Sequence, residues 1–98
     1  MPASSVVQQE NIIFIKGAVL FQNVAFIQKM LINVLKANKF QHYILDLRLL
    51  DVVDSSALAM FIELKKFLHS AQLTCEFINA TDLLLSLAQV YGLEFIQK

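Results

Sequence analysis

The chain has 98 residues, and its eight Lys or Arg balance eight Asp or Glu, so the formal net charge is zero. Hydrophobic residues make up 57% and charged residues 16%. That balance excludes a disordered chain, leaves room for one core rather than two, and offers no basic surface for nucleic acid or anionic lipid.

Several further features bound the class. The single cysteine, Cys75, cannot form an internal disulfide and fits a reducing compartment. Met1 to Ser5 lacks a basic stretch followed by an apolar one, so no signal peptide is read there. No run reaches the roughly 18 uninterrupted apolar residues of a membrane span. The expectation is a cytoplasmic protein with no direct membrane insertion. So apolar a chain must leave some apolar residues on its surface, and an exposed apolar patch usually awaits a partner. One Pro and two Gly provide no linker. We read residues 1–98 as one domain, with 1–10 as a flexible or edge segment.

In chain order, Ile12 to Ile15 is a β-branched and aromatic run that predicts a strand. Gly17 is expected to break it, with Ala18 to Phe21 as the second arm of a tight hairpin. Asn23 is placed to cap a helix, whose stripe is Val24, Ile27, Leu31, Val34 and Leu35. Tyr43 to Leu47 reads as a central parallel strand buried on both faces. Ser55 to about Ser70 is a second helix, and Leu73 to Ile78 a further strand. Thr81 caps a third helix, Asp82 suits its dipole, and Gly92 ends it. Leu93 to Ile96 is a candidate final strand. Alternating strands and helices imply an α/β fold with parallel pairing.

The second helix carries most of the functional signal. At about 100° per residue, Ala57, Met60, Phe61, Leu64, Phe67, Leu68 and Ala71 form a core arc. Ser55, Leu58, Ala59, Ile62, Lys65, Lys66 and His69 occupy the remainder. Leu58 fits either the core margin or the surface. Ile62 is harder to bury, so this side reads as an apolar patch with a cationic rim, a composition that suits docking. Asp54 and Ser55 are both good residues for a helix start. The bland reading is that they only cap. The functional one is that a partner seats there. A phosphate on Ser55 would then add a charge of about −1.5 to −2 beside the carboxylate of Asp54.

The segment Asp46-Leu47 to Val53-Asp54-Ser55-Ser56 resembles the signature of STAS domains, with Ala57 where that family usually has Gly. Gly17 to Val24 is similar to the family's approach to its first helix. Leu87-Ala88-Gln89-Val90-Tyr91-Gly92-Leu93 is similar to the closing motif of one branch, the STAS subunit of the Mla phospholipid ABC transporter of Gram-negative bacteria. The resemblance implies a STAS-type sandwich, a four- to five-stranded, mainly parallel sheet with three helices. It implies a non-enzymatic accessory subunit that works in maintaining outer-membrane lipid asymmetry. That subunit would bind the transporter's ATPase directly and meet the permease and lipid-binding subunits indirectly, held peripherally at the inner membrane. The binding residues would be Asp54, Ser55, Ser56, Leu58, Ala59, Ile62, Lys65, Lys66 and His69. The alternative is an anti-sigma-factor antagonist whose partner is a kinase-like anti-sigma factor that phosphorylates Ser55.

Other chemistry is not supported. His42 and His69 lack metal-ligand spacing and read as surface residues, and no cofactor or metal is expected. Cys75 alternates with Leu73 and Phe77 and reads as a buried filler. Asp46, Asp51 and Asp54 invite a phospho-receiver reading. A receiver needs an acidic pair after its first strand, where this chain has Lys16-Gly17.

Overall fold

The computed structural model describes residues 4–37 and 39–98. Five strands and three helices follow in the order β1 (Ser5–Gln9), β2 (Ile12–Val19), α1 (Val24–Lys36), β3 (His42–Asp46), β4 (Leu50–Val53), α2 (Ser55–Ala71), β5 (Thr74–Ile78) and α3 (Asp82–Val90). β1 pairs antiparallel with β2, and β2, β3 and β5 are parallel neighbours. Each parallel step passes through a helix, as a same-sheet crossover requires. The fold is a mixed, mainly parallel five-stranded sheet with three helices, as the sequence pattern implies.

Gly17 corrects the expected hairpin. β2 does not stop there. It continues to Val19 with Gly17 at φ +91°, and the register with β4 shifts between Gly17 and Val19. A Cβ at Gly17 would lie 3.0 Å from Ser4 Oγ, so the position needs both glycine's missing side chain and its left-handed backbone. The hairpin lies earlier, where Gln9 pairs with Ile12 across Glu10 and Asn11. β4 has no counterpart among the strands that the sequence pattern predicts. It lies parallel to β2 beyond the end of β3, with Gly17 opposite Leu50 and Val19 opposite Val53.

The core occupies one face of the sheet. Ile13, Leu45 and Phe77 stand in one cross-strand row and are each at most 2% exposed. They pack with Ile27, Leu31 and Leu35 of α1, with Ala57, Met60, Phe61, Leu64 and Leu68 of α2, and with Leu84 and Ala88 of α3. The alternating residues Ile12, Phe14, Ile44 and Ile78 face the other way and are only half-buried. β3 is therefore central but covered on one side, not on both. Phe61 meets Phe77 edge to face at 5.9 Å, and Phe77 meets Phe95 at 5.0 Å. Leu93 to Ile96 contributes a single bridge, Ile96 to Phe77, rather than a strand.

α3 ends as its sequence predicts. Gly92 takes φ +74°, and the amides of Gly92 and Leu93 donate to the carbonyls of Gln89 and Ala88.

Candidate docking surface at the start of α2

α2 begins because Asp54 caps it. The Asp54 backbone is extended, and its Oδ1 accepts the Ser56 amide at 2.9 Å. The other carboxylate oxygen, Oδ2, accepts the Phe21 amide at 3.0 Å, from the turn between β2 and α1. The Phe21 amide, more than any other contact, holds the Asp54 carboxyl below the usual carboxylate range, with the Ser56 amide adding to it.

Ser55 is exposed on the first turn of this helix, and Ser56 is half-buried. Ala59, Ile62, Lys65, Lys66 and His69 are exposed on the same side. Leu58 is not: at 3% exposure it belongs to the core, because the apolar stripe of α2 is wider than one narrow seam. It forms the floor of a shallow apolar depression of about 190 Å³, bordered by Ser55, Ala59, Ile62 and Tyr91. Ile62 is 37% exposed and Tyr91 60%.

The expected cationic rim is thinner than the sequence implies. The Lys65 ammonium lies 5.2 Å from the centre of the Phe95 ring, a contact within the chain. Lys66 pairs with Glu63 at 3.4 Å, an exposed pair worth little to stability. His69 stands in the last turn of α2, well away from Ser55.

Tyr91, Phe21 and Val52 are surface residues that the helical wheel could not find. Tyr91 reaches the depression from the end of α3, and its signal was its place in the closing motif. Phe21 is 80% exposed, and Val52, 52% exposed, helps to line a second hollow of about 340 Å³ with Gly17, Ala18 and Leu20. Asn23 stands at the cap position of α1 but does not cap with its side chain. Its Oδ1 accepts the Leu20 amide at 2.8 Å, and its Nδ2 donates to the Ala18 carbonyl at 2.8 Å, so it braces the Phe21 turn.

Asp46 is structural. It is 4% exposed, and it accepts the Arg48 amide and side chain and the Asn79 side chain at 2.9 to 3.1 Å. Burial works to raise its pKa, but the hydrogen bonds from Arg48 and Asn79 outweigh it and leave the carboxyl below the ordinary value. His42 touches Thr74 and Glu76. Burial pushes the Cys75 thiol up to about 12, so it is no nucleophile at neutral pH. No group of three metal-ligating side chains exists among the described residues. No helix there is long and apolar enough to cross a membrane.

The STAS domain family model matches residues 3–98. The chain belongs to the STAS domain family. A solved structure of the anti-sigma factor antagonist SpoIIAA, in its unphosphorylated form, is similar in fold with a TM-score of 0.78. The identity is 15%, over 98% of this chain and 86% of that one. A comparison with curated proteins finds no match. In this STAS domain the signature residues Asp54, Ser55 and Ser56 lie where α2 opens toward water, beside the depression that Ile62 and Tyr91 border.

Proposed function

We propose that this STAS domain is a binding module without chemistry of its own, which docks a partner protein on the amino end and exposed face of α2. The observation that carries this reading is a convergence. Ser55 and Ala59 from the signature helix and Tyr91 from the closing motif border one exposed apolar depression with Ile62. An apolar centre with polar groups at its edge is what a protein interface needs.

The partner in the first reading is the ATPase subunit of a phospholipid-transporting ABC complex. The chain would be held at the cytoplasmic side of the inner membrane through that subunit, with permease and lipid-binding subunits reached only indirectly. The closing motif at Leu87 to Leu93 supports this reading. The second reading is an anti-sigma-factor antagonist controlled by phosphorylation of Ser55. The exposure of Ser55 and the likeness in fold to SpoIIAA support it.

Co-purification from native cells separates the two: a transporter ATPase comes down with the chain in the first case, a kinase-like anti-sigma factor in the second. Incubation with that kinase and ATP labels Ser55 only in the second. In either case Ser55→Glu and Ile62→Asp should weaken capture of the partner. If both folded variants bind it as wild type does, the docking surface lies elsewhere.

A further inference from the structure

The Asp54 carboxylate has two tasks at once. One oxygen caps α2 through the Ser56 amide at 2.9 Å. The other holds the Phe21 amide at 3.0 Å, 33 positions back in the chain. Phe21 lies on the turn from Leu20 to Asn23, which Asn23 Nδ2 also ties to the Ser4 hydroxyl at 3.1 Å. Asn23 binds Leu20 and Ala18, and the Asn23 amide donates to the Leu20 carbonyl at 3.0 Å. The side-chain link from this turn to α2 is therefore the Asp54 carboxylate. Phe21 itself is 80% exposed, so its ring is not held by packing.

We infer that Asp54 is a positioning residue that couples the charge on Ser55 to the placement of Phe21. The inference rests on the docking reading in treating Phe21 as part of the surface the partner meets. Added negative charge on Ser55 stands on the next residue to the Asp54 carboxylate and repels it. It also competes for the same first-turn amides, which attract any anion at a helix start. On α2 the first basic side chains are Lys65 and Lys66, and Lys65 lies ten positions on from Ser55, roughly 15 Å along the axis. They are too far along the helix to neutralise the new charge. No cationic side chain pairs with Asp54 among the described residues. The strain is relieved by turning the carboxylate away, which gives up the Phe21 amide and loosens the Phe21 corner of the turn from α2, while Asn23 still braces the rest. A charge at one residue thus disturbs the docking surface at a second place.

Asp54→Asn is the informative variant. Asn is an equally good cap, but it has one acceptor oxygen where Asp has two, so it cannot serve both amides. The test is a set of amide spectra of the isotope-labelled chain without a partner, so its outcome does not depend on whether docking occurs. Asp54→Asn should shift the Phe21 amide proton upfield while β3 amides stay at their wild-type positions. Ser55→Glu should move the Phe21 amide in the same direction. Ser55→Asp serves as a second charge variant if the first does not fold. In the Asp54→Asn background, either charge variant should leave Phe21 unmoved. A Phe21 amide that ignores the charge at Ser55, or that responds equally without the Asp54 carboxylate, overturns the coupling. Neither result affects the docking reading, which is tested by partner capture.

Discussion

The carboxylate at the end of β3 and the carboxylate at the start of α2 stand eight residues apart, from Asp46 to Asp54, and meet water differently. Asp46 is 4% exposed, with Arg48 and Asn79 around it. Asp54 is only half-buried and binds two backbone amides from different parts of the chain. The first fastens the turn after β3 to the end of β5. The second links a helix start to a neighbouring turn at the surface. A carboxylate enclosed by its own partners has nothing left to offer another molecule. One beside an exposed hydroxyl and an exposed phenyl ring can pass a change on.

The largest expected effect falls on the enclosed site. Asp46→Ala leaves the Asn79 amide group without its acceptor and should cost about 2 kcal/mol of stability, the range for hydrogen bonds to a charged group. Urea denaturation measures it. A loss no greater than that of an ordinary surface substitution would mean that the two aspartates are alike.

Next comes the surface beside Asp54. Ile62→Asp places a charge on the apolar border of the depression and should weaken the partner by about tenfold or more, as an interface anchor does. Its cost to stability should be about 1 kcal/mol, since the side chain is only 37% exposed and its buried part is lost. Titration of the purified partner against folded variant checks both halves.

Acid also tests the enclosed carboxylate. The folded-state pKa of Asp46 is depressed. As pH falls below the ordinary aspartate value of about 4, the unfolded chain takes up the proton first, and folding loses the stability that this carboxylate supplies. That contribution is complete above this range and fades as pH drops through the lowered value. Asp46→Asn should therefore flatten the acid limb of the stability curve, measured by denaturation from pH 6 downward to about pH 2. A limb as steep as wild type would assign acid sensitivity to other carboxylates.

Ser55→Ala should have the smallest effect. Its hydroxyl makes no cap bond, because Asp54 already provides the cap. Stability should change by no more than about 0.5 kcal/mol. Partner binding should persist while any response to phosphorylation disappears. Loss of binding in this variant would make the hydroxyl itself a contact.

Much of this was legible in the sequence because local patterns agreed with the fold. The stripe from Val24 to Leu35 depends on α1 alone, and the Thr81 cap and the Gly92 stop on α3 alone. The misreadings depend on contacts far apart in the chain. Gly17 breaks a strand by local rules, yet here it lets Ser4 approach β2 and the strand runs on. Leu50 to Val53 looks like loop, because its partner Gly17 to Val19 is more than thirty residues away. Leu58 is ambiguous on a wheel and becomes floor once Tyr91 arrives from α3. Asn23 has a capping residue's identity, but Ser4, 19 positions back, claims its side chain together with Ala18 and Leu20. The site follows the same rule. Asp54, Ser55 and Ile62 could be read from one helix, while Phe21 and Tyr91 required the chain to be folded.

The most direct test of the docking surface is site-specific photo-crosslinking to the purified partner. A photo-reactive phenylalanine analogue is placed at Ile62, beside the depression, or at Phe14, on the opposite, helix-free face of the sheet. A strong crosslink is expected from position 62, lost when Ser55→Glu is added, and none from position 14. Crosslinks from position 14 with none from position 62 would contradict it.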